Sequence, residues 1–282
     1  MVDIANNKAK KMKRKIFLIV ILILSIYSFG QTTFNFKGII KPEKKYSQTM
    51  VVNSSMQVSY TTDSIPLKNK KLGNESITSV SKVLTTKKKN KNNRFEAIIE
   101  FGEVSSTSNL KKVLNAISNT IVKGNYIENN IFKVQSVTNE KMDDKTKELI
   151  KYSLENVKPE IEFPNNSLKI GDSFEHNMPM KIPIDKNNSV NLIIKKTYTL
   201  KEVNNNIAVF DLSELIFLDT NFKGENILAY GNGSGIVEFN IAENQIVKNN
   251  SEFTIHIDFI EKLNVIRNVI SKSNSEVITI IE

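Results

Sequence analysis

The sequence predicts a mainly β protein of the α+β class, built as a curved antiparallel sheet or open half-barrel meander with about two packing helices. Three observations favour this class. Apolar and polar residues alternate over most of the chain, asparagines stand between the alternating runs, and only two segments show helical spacing. The chain has 282 residues, of which 40% are hydrophobic, a fraction typical of a folded protein rather than a disordered one.

The first thirty residues have the layout of a secretory signal peptide. A basic stretch at 8–15 precedes an apolar run at 16–26, and the small residues Ser28 and Gly30 stand just before Gln31. We therefore predict a signal peptide over 1–30, with cleavage before Gln31. The alternative is an uncleaved N-terminal anchor. No later stretch resembles a transmembrane helix, so we expect no integral membrane span after signal removal.

The net charge and the absence of cysteine limit the cellular location and the classes of partner that the sequence predicts for this protein. The net charge is +9, but six basic residues and one acidic residue lie in the first thirty, so the remainder is near balance. A near-neutral body does not indicate a nucleic-acid partner. The chain has no cysteine, which excludes disulfides, Cys-ligated zinc, a cysteine nucleophile and a lipid-modified cysteine anchor. We expect a periplasmic or secreted protein without a lipobox.

Most of the body alternates with a period of two, which is the pattern of half-buried antiparallel strands. The clearest example is 253–259, in which Phe253, Ile255, Ile257 and Phe259 share one face. The predicted strands are 50–60, 77–87, 95–104, 174–184, 190–203, 207–218, 227–230, 236–241, 253–259, 263–270 and 276–281.

Asparagine-rich turns are predicted between several of these strands, because asparagine tolerates positive φ and bonds its own backbone. The turns are expected at 91–93, 204–206 and 243–244, and the serine-rich segment 271–275 is expected to close the last hairpin. The result is an antiparallel meander.

Two segments have helical spacing. Over 110–121 the apolar residues recur every three or four positions, with Asn109 as the expected cap and Gly124 just beyond the end. A second helix is predicted over 143–157, ended by Pro159. The segment 126–137 between them is expected to form a hairpin with Asn129–Asn130 at its turn.

The domain organisation follows from these elements. We predict a flexible lead-in over 31–44 and a β-rich body over 45–282. A similar order of strands and turns in two parts of the body suggests two similar halves, 45–137 and 164–282, joined by a helical segment at 138–163. Whether the halves form one sheet or two stays open at this stage.

The glycine-rich segment 231–235 is interpreted as structural. A phosphate-binding loop would lead into a helix, whereas a strand follows here, so the glycines are expected to let a bent strand approach its neighbour closely. His176 and His256, on different strands, do not suggest a metal site. The carboxylates are expected on solvated strand faces and turns; they are Glu100, Glu103, Glu160, Glu162, Asp211, Glu214, Asp258 and Glu261.

Several features in order resemble a family of exported β-rich proteins of Bacteroidota, a domain of unknown function. They are Lys45-Tyr46, Phe163-Pro164, the run 169–174 (Lys-Ile-Gly-Asp-Ser-Phe) and the run 231–240, in which Asn240 and Asn244 stand where the family has Asp and Gly. The resemblance covers most of the body and implies an exported β fold but no particular activity. By analogy alone, such proteins are distantly similar to periplasmic curved-sheet carriers of lipid or lipoprotein.

These observations predict a non-enzymatic protein that binds an apolar ligand or an envelope partner, such as lipid, and needs no cofactor or metal. A curved sheet with an incompletely covered apolar face would leave a cleft, for which Met50, Met56, Met178 and Met180 are the predicted lining. Two alternatives stay open: a structural envelope module without a ligand, and a carboxylate-dependent hydrolase, which needs two facing carboxylates.

Overall fold

The computed structural model describes residues 32–62, 72–108, 111–127, 131–156, 161–183, 189–219, 227–260 and 265–282. Within these ranges the chain is mainly β with two helices, as the sequence predicts, and its eleven strands form one antiparallel sheet. The elements are β1 (Lys45–Thr62), β2 (Leu72–Thr86), β3 (Phe95–Ser106), α1 (Lys111–Ile117), β4 (Ile121–Tyr126), β5 (Phe132–Thr138), α2 (Asp144–Glu155), β6 (Ser173–Pro183), β7 (Ser189–Asn204), β8 (Ile207–Leu218), β9 (Ile227–Asn240), β10 (Gln245–Ile260) and β11 (Val265–Ile281).

The sheet is a meander whose first and last strands meet in its middle. Its order is β5-β4-β3-β2-β1-β11-β10-β9-β8-β7-β6, so every neighbouring pair is consecutive in sequence except β1 and β11. That pair is aligned from Tyr46 opposite Ile281 to Thr62 opposite Val265. The sheet is therefore a single one, and its two open edges are β5 and β6.

β9 and β11 each run through a segment that the sequence divides. β9 continues through 231–235, where two shorter strands were expected, and β11 continues through 271–275, where a hairpin turn was predicted wrongly. In 271–275 both faces are polar, so alternation gives no sign of a strand there. Backbone pairing with β1 on one side and β10 on the other keeps this segment extended.

Asparagines form the tight turns as predicted. Asn205 and Asn206 have φ of 48° and 65° between β7 and β8, and Asn93 and Asn244 have φ of 57° and 56° before β3 and β10. In the β9–β10 turn the backbone N–H of Glu243 also donates to the side-chain oxygen of Asn240 (3.0 Å). The backbone at these positions is left-handed, a conformation that asparagine tolerates better than most residues other than glycine. This explains why asparagine occupies turns that contain no glycine.

The first helix is shorter than predicted. α1 ends at Ile117, and Ile121 begins β4, so Gly124 is a strand residue and not a helix end. Ile121 stands by chance at the helical spacing of the preceding apolar residues, but it belongs to β4, whose apolar residues pack on β3. Asn109, the expected cap, lies outside the described residues.

The second helix begins where the sequence predicts. The Asp143 side chain accepts a hydrogen bond from the backbone N–H of Thr146 (2.7 Å), and this bond holds the pKa of Asp143 below its usual value. At the helix end, Glu155 accepts from the backbone N–H of Val134 on the edge strand β5 (3.0 Å). Within the described part of the chain, no helix has the length and apolar character that crossing a bilayer requires.

The buried side chains form three clusters. The first, the aromatic core, is built on β7, β8 and β9 with the segments 32–44 and 161–168; its buried members are Phe36, Ile161, Leu168, Tyr198, Leu200, Ala208, Phe210, Leu212, Val237 and Phe239. The second joins β1–β5 to α2, and its members are Tyr46, Leu84, Phe95, Ala97, Ile99, Val122, Tyr126, Phe132 and Val134. The third joins β7–β10 through Val190, Leu192, Ile216, Ala229, Ile255 and Ile257.

The segment 32–44 differs from the flexible lead-in that the sequence predicts. Phe36 is buried in the aromatic core, where its ring stacks on Phe163 with centroids 5.5 Å apart. Phe34 and Leu168 exchange two backbone hydrogen bonds of 2.8 and 2.9 Å. Two phenylalanines in this short polar stretch hold it on the sheet, because burying an aromatic ring outweighs the entropy lost on ordering.

The run 169–174 forms the tight turn that leads into β6. Gly171 has φ of 94°, a backbone conformation that favours glycine, and its N–H donates to the carbonyl of Leu200 (2.7 Å). The carboxylate of Asp172 accepts from the backbone N–H of Lys169 (2.8 Å). In this turn, therefore, Gly171 provides the backbone conformation and Asp172 a hydrogen bond to the backbone, so both residues have structural roles.

Candidate functional site

A cavity of about 670 Å³ lies in the middle of the sheet. Five strands that are neighbours in the sheet, β2, β1, β11, β10 and β9, each contribute three consecutive residues to its wall. The lining residues are Glu75, Ser76, Ile77, Asn53, Ser54, Ser55, Lys272, Ser273, Asn274, Glu252, Phe253, Thr254, Asn232, Gly233, Ser234 and, after β3, Thr107.

The residues of each triplet alternate between the two faces of the sheet. The middle ones form one row on the face of the buried Glu214; they are Ser76, Ser54, Ser273, Phe253 and Gly233. The flanking residues point to the other, exposed face. Asn53, Asn274, Glu252 and Ser234 are directly opposite one another along one row, and Ser55, Lys272, Thr254 and Asn232 form the next row on the same face. Neighbouring strands lie about 4.8 Å apart, and residues two apart on one strand are about 7 Å apart. We call these eight side chains the polar platform.

The polar platform is rich in groups that form hydrogen bonds. The amides Asn53, Asn232 and Asn274 both donate and accept, the Glu252 carboxylate accepts, and the Lys272 ammonium donates. Among the side chains of the cavity wall, Ile77 and Phe253 are the large apolar ones. Such a wall suits a ligand that is itself polar.

An exposed apolar surface continues the same face beyond the polar platform. Tyr230 lies two residues before Asn232 on β9 and directly opposite Phe217 on β8. Tyr230 is 56% exposed and Phe217 40%, and the His256 ring stacks on Tyr230 with centroids 5.0 Å apart. We call Phe217, Tyr230 and His256 the aromatic border. Leu215 and Leu228, also exposed, flank it.

A buried ion pair lies on the opposite face, next to the cavity. Lys196 Nζ is 3.0 Å from Glu214 Oε1, and the two side chains are only 12% and 3% exposed. Glu214 lies opposite Gly233, which lines the cavity. A Cβ on Gly233 would be 2.7 Å from Glu214 Oε2 and 2.6 Å from the Glu252 carbonyl oxygen. The glycine therefore makes room for the carboxylate.

The three alternate glycines of β9 have the structural role that the sequence predicts. A Cβ on Gly231 would meet the carbonyl oxygen of Thr254, and one on Gly235 would meet that of Asn250. β10 backbone therefore approaches β9 more closely than side chains would allow.

The histidines and carboxylates are dispersed among the described residues. His176 Nδ1 is 3.7 Å from Glu162 Oε2, and Asp211 Oδ1 is 3.2 Å from Lys201 Nζ. No group of three or more histidine, aspartate or glutamate side chains with metal-binding geometry occurs in the described ranges. Glu160 and Glu261 lie outside those ranges.

The predicted methionine lining is not part of this cavity. Met50 and Met56 lie on β1, with Met56 exposed, whereas Met178 and Met180 lie on the edge strand β6. Met180 packs against the third cluster. Five strands separate β1 from β6 in the sheet, so the fold does not gather the four side chains at the described cavity. Ser28, Gly30 and Gln31 lie outside the described residues.

The polar platform was not recognised from the sequence. The predicted strands include only three of its residues, Asn53, Ser55 and Thr254. The sequence assigns 232 and 234 to the glycine-rich segment, 272 and 274 to a turn, and begins the strand 253–259 just after Glu252. The alternation of polar residues at 53, 55, 232, 234, 252, 254, 272 and 274 is visible in the sequence. Strand order and register, which the sequence does not reveal, bring the four pairs together.

Comparisons with known proteins identify no family. No protein-family model matches the chain, and no curated protein is detectably similar to it. Among solved structures, an outer-membrane channel from Pseudomonas putida F1 aligns with 86% of this chain and 97% of its own, at 6% identity and a TM-score of 0.20. OpdQ of Pseudomonas aeruginosa aligns with 84% of this chain and 98% of its own, at 7% identity and a TM-score of 0.21. Scores this low do not establish a shared fold, so no argument rests on them.

Proposed function

We propose that this chain is an exported, non-enzymatic binding protein whose polar platform holds a small polar ligand. The observation that carries the proposal is the polar platform itself, on an exposed face in the middle of the sheet. Eight hydrogen-bonding side chains on one face, contributed by four neighbouring strands, give such a ligand many partners at fixed spacing.

The composition of the polar platform favours a polar ligand over the apolar one expected from sequence. An acyl chain lying on the platform would leave amide and carboxylate groups without hydrogen-bond partners, and each unpaired group costs free energy. The large apolar side chains of the inner face pack into the three clusters instead. An envelope partner stays a prediction from the sequence.

Export is proposed on the basis of the signal-peptide layout of residues 1–30. The test is the intact mass of the protein recovered from the periplasm or medium of the expressing cells. We expect a mature chain that begins at Gln31. A full-length chain retained in the cytosol would contradict export, and a full-length chain at the membrane would favour the uncleaved anchor.

Ligand binding is tested by thermal shift with water-soluble sugars, amino acids and nucleotides, and with fatty acids in parallel. We compare the wild type with Asn274→Tyr, which places a bulky ring on the polar platform. The matched control is Glu276→Tyr, an exposed site on the same strand and face but outside the platform. A polar ligand should raise the melting temperature of the wild type and of the control but not of Asn274→Tyr.

Two results would contradict the proposal. One is that no polar compound stabilises the wild type, which would favour a structural module without a ligand. The other is that stabilisation survives in Asn274→Tyr, which would place the ligand elsewhere.

A further inference from the structure

We infer that the ligand of the polar platform is a neutral glycan, whose sugar rings pack on the aromatic border while their hydroxyl groups bond to the platform. This inference rests on the proposed function and names the ligand class of the same site. It is carried by the adjacency of two surfaces with different chemistry on one exposed sheet face. Tyr230 and Asn232 are successive residues of β9 on that face, and Phe217 is opposite Tyr230.

A sugar ring has an apolar C–H face and an edge of hydroxyl groups, so its recognition needs both kinds of surface. Aromatic rings offer a large apolar surface, and amides and carboxylates accept from and donate to hydroxyl groups. Tyr230 and Asn232 are alternate residues of β9, so their backbone positions on this face are about 7 Å apart. A single sugar unit can therefore contact the ring and the amide together.

The polar platform is long enough for more than one sugar unit. Its rows cross β9, β10, β11 and β1, so each row spans three interstrand spacings, roughly 14 Å. A ligand that extends from Tyr230 towards Asn53 would pass Asn232, Thr254 and Lys272. The site therefore fits a short oligosaccharide better than a single monosaccharide.

Charge separates a neutral glycan from the other polar ligands of similar size. The platform carries one carboxylate, Glu252, and one ammonium group, Lys272, and Glu75 opposite Ser55 adds a second carboxylate on the same face. This excess of negative charge disfavours nucleotides, phosphorylated sugars and fatty acids, because like charges repel. It leaves a neutral ligand with many hydroxyl groups as the best match.

The experiment is a glycan array of neutral oligosaccharides probed with the mature wild-type protein, followed by calorimetric titration of a bound trisaccharide. We expect at least one class of neutral glycan to bind. Tyr230→Ala should weaken the affinity about three- to tenfold, the loss expected for one aromatic contact, and Tyr230→Phe should retain most of it. Tyr152→Ala is the matched control, because Tyr152 is an exposed tyrosine on α2, far from β9 in the sheet order.

The outcomes distinguish this inference from the proposed function. If no neutral glycan on the array binds while another polar compound stabilises the wild type but not Asn274→Tyr, the glycan assignment is wrong and the proposed function stands. If a glycan binds with the same affinity to Tyr230→Ala as to the wild type, the aromatic border has no role and the inference is overturned. If no compound of any class binds through Asn274, both fail.

Discussion

Glu214 on β8 and Gly233 on β9 are directly opposite, and the Glu214 carboxylate occupies the space that a Cβ on Gly233 would need. The same Cβ would lie 2.8 Å from the Cβ of Phe253 on the next strand. Backbone and core atoms surround this position, so a neighbour cannot simply rotate away. The close approach of β8, β9 and β10 beside the cavity therefore depends on one glycine.

The first prediction concerns this glycine. Gly233→Ala should destabilise the protein by about 3 kcal/mol, because the added methyl group overlaps atoms of two strands. Urea unfolding followed by circular dichroism measures the change. Gly38→Ala is the control, since a Cβ there meets nothing within 4 Å, and it should change the stability by less than about 0.5 kcal/mol. Equal stability of the two variants would show that the strands can separate freely.

The second prediction concerns the buried ion pair. Lys196→Met should cost about 3–5 kcal/mol, because it leaves the 3%-exposed Glu214 carboxylate without its cation. The double variant Lys196→Met/Glu214→Met should be more stable than either single variant, since no buried charge remains. Lys201→Met, which breaks the exposed pair with Asp211, is the matched control and should cost less than about 1 kcal/mol. Additive losses in the double variant would refute the coupling of Lys196 with Glu214.

The third prediction concerns acid stability and Glu243 in the β9–β10 turn. The hydrogen bond from Lys44 Nζ (3.1 Å) and the charge of Lys41 lower the pKa of Glu243 below its usual 4.5. A lowered folded-state pKa means that this stabilisation is present above pH 4.5 and is lost as the pH falls through the folded-state value. The contribution should be at most about 1 kcal/mol, because the pair is partly exposed.

Glu243→Gln should therefore be less stable than the wild type at pH 7, and the difference should shrink as the pH falls from 4.5 towards 3. Thermal unfolding across this pH range measures the difference, with Glu276→Gln on β11 as the control. A difference that is the same at pH 3 and pH 7 would rule out ionisation of Glu243 as its cause.

The fourth prediction concerns the attachment of residues 32–44. Phe36→Ala should cost about 3–4 kcal/mol, because it removes a buried ring that contacts Phe163, Phe210 and Phe239. Limited proteolysis should then cut within 32–44 before the sheet. Ile39→Ala, at an exposed position in the same segment, should leave both stability and cleavage nearly unchanged. Rapid cleavage of this segment in the wild type would contradict its attachment to the core.

Sequence reasoning predicted the individual strands well where one face is apolar. β8 has the predicted bounds, 207–218, because its apolar residues alternate without interruption and an asparagine turn precedes it. It was wrong at 271–275 and at Ile121. Segment 271–275 is polar on both faces, so no alternation of apolar and polar residues marks it as a strand. Ile121 falls at helical spacing after the apolar residues of α1, although that helix has already ended at Ile117.

The candidate site could not be predicted from local sequence patterns, although most of its strands could. Asn53, Asn232, Glu252 and Lys272 are separated by up to 219 positions in the sequence, and no pattern in the sequence links them. The methionines, chosen because their side chains adapt to apolar ligands, lie on strands that the sheet order keeps apart. A ligand site at these methionines stays a prediction, and side-chain type alone does not show which residues come together, since proximity depends on which strands pair.

By itself, the sequence determined most of the extended backbone, the position of the asparagine turns and the direction in which most side chains point, because alternation and asparagine placement act over a few neighbouring residues. Only the tertiary structure decided that β1 pairs with β11, that the two parts form one sheet, and that eight polar side chains share a surface. Those features depend on hydrogen bonds between residues far apart in the chain, whose register is set by burial of the three apolar clusters together.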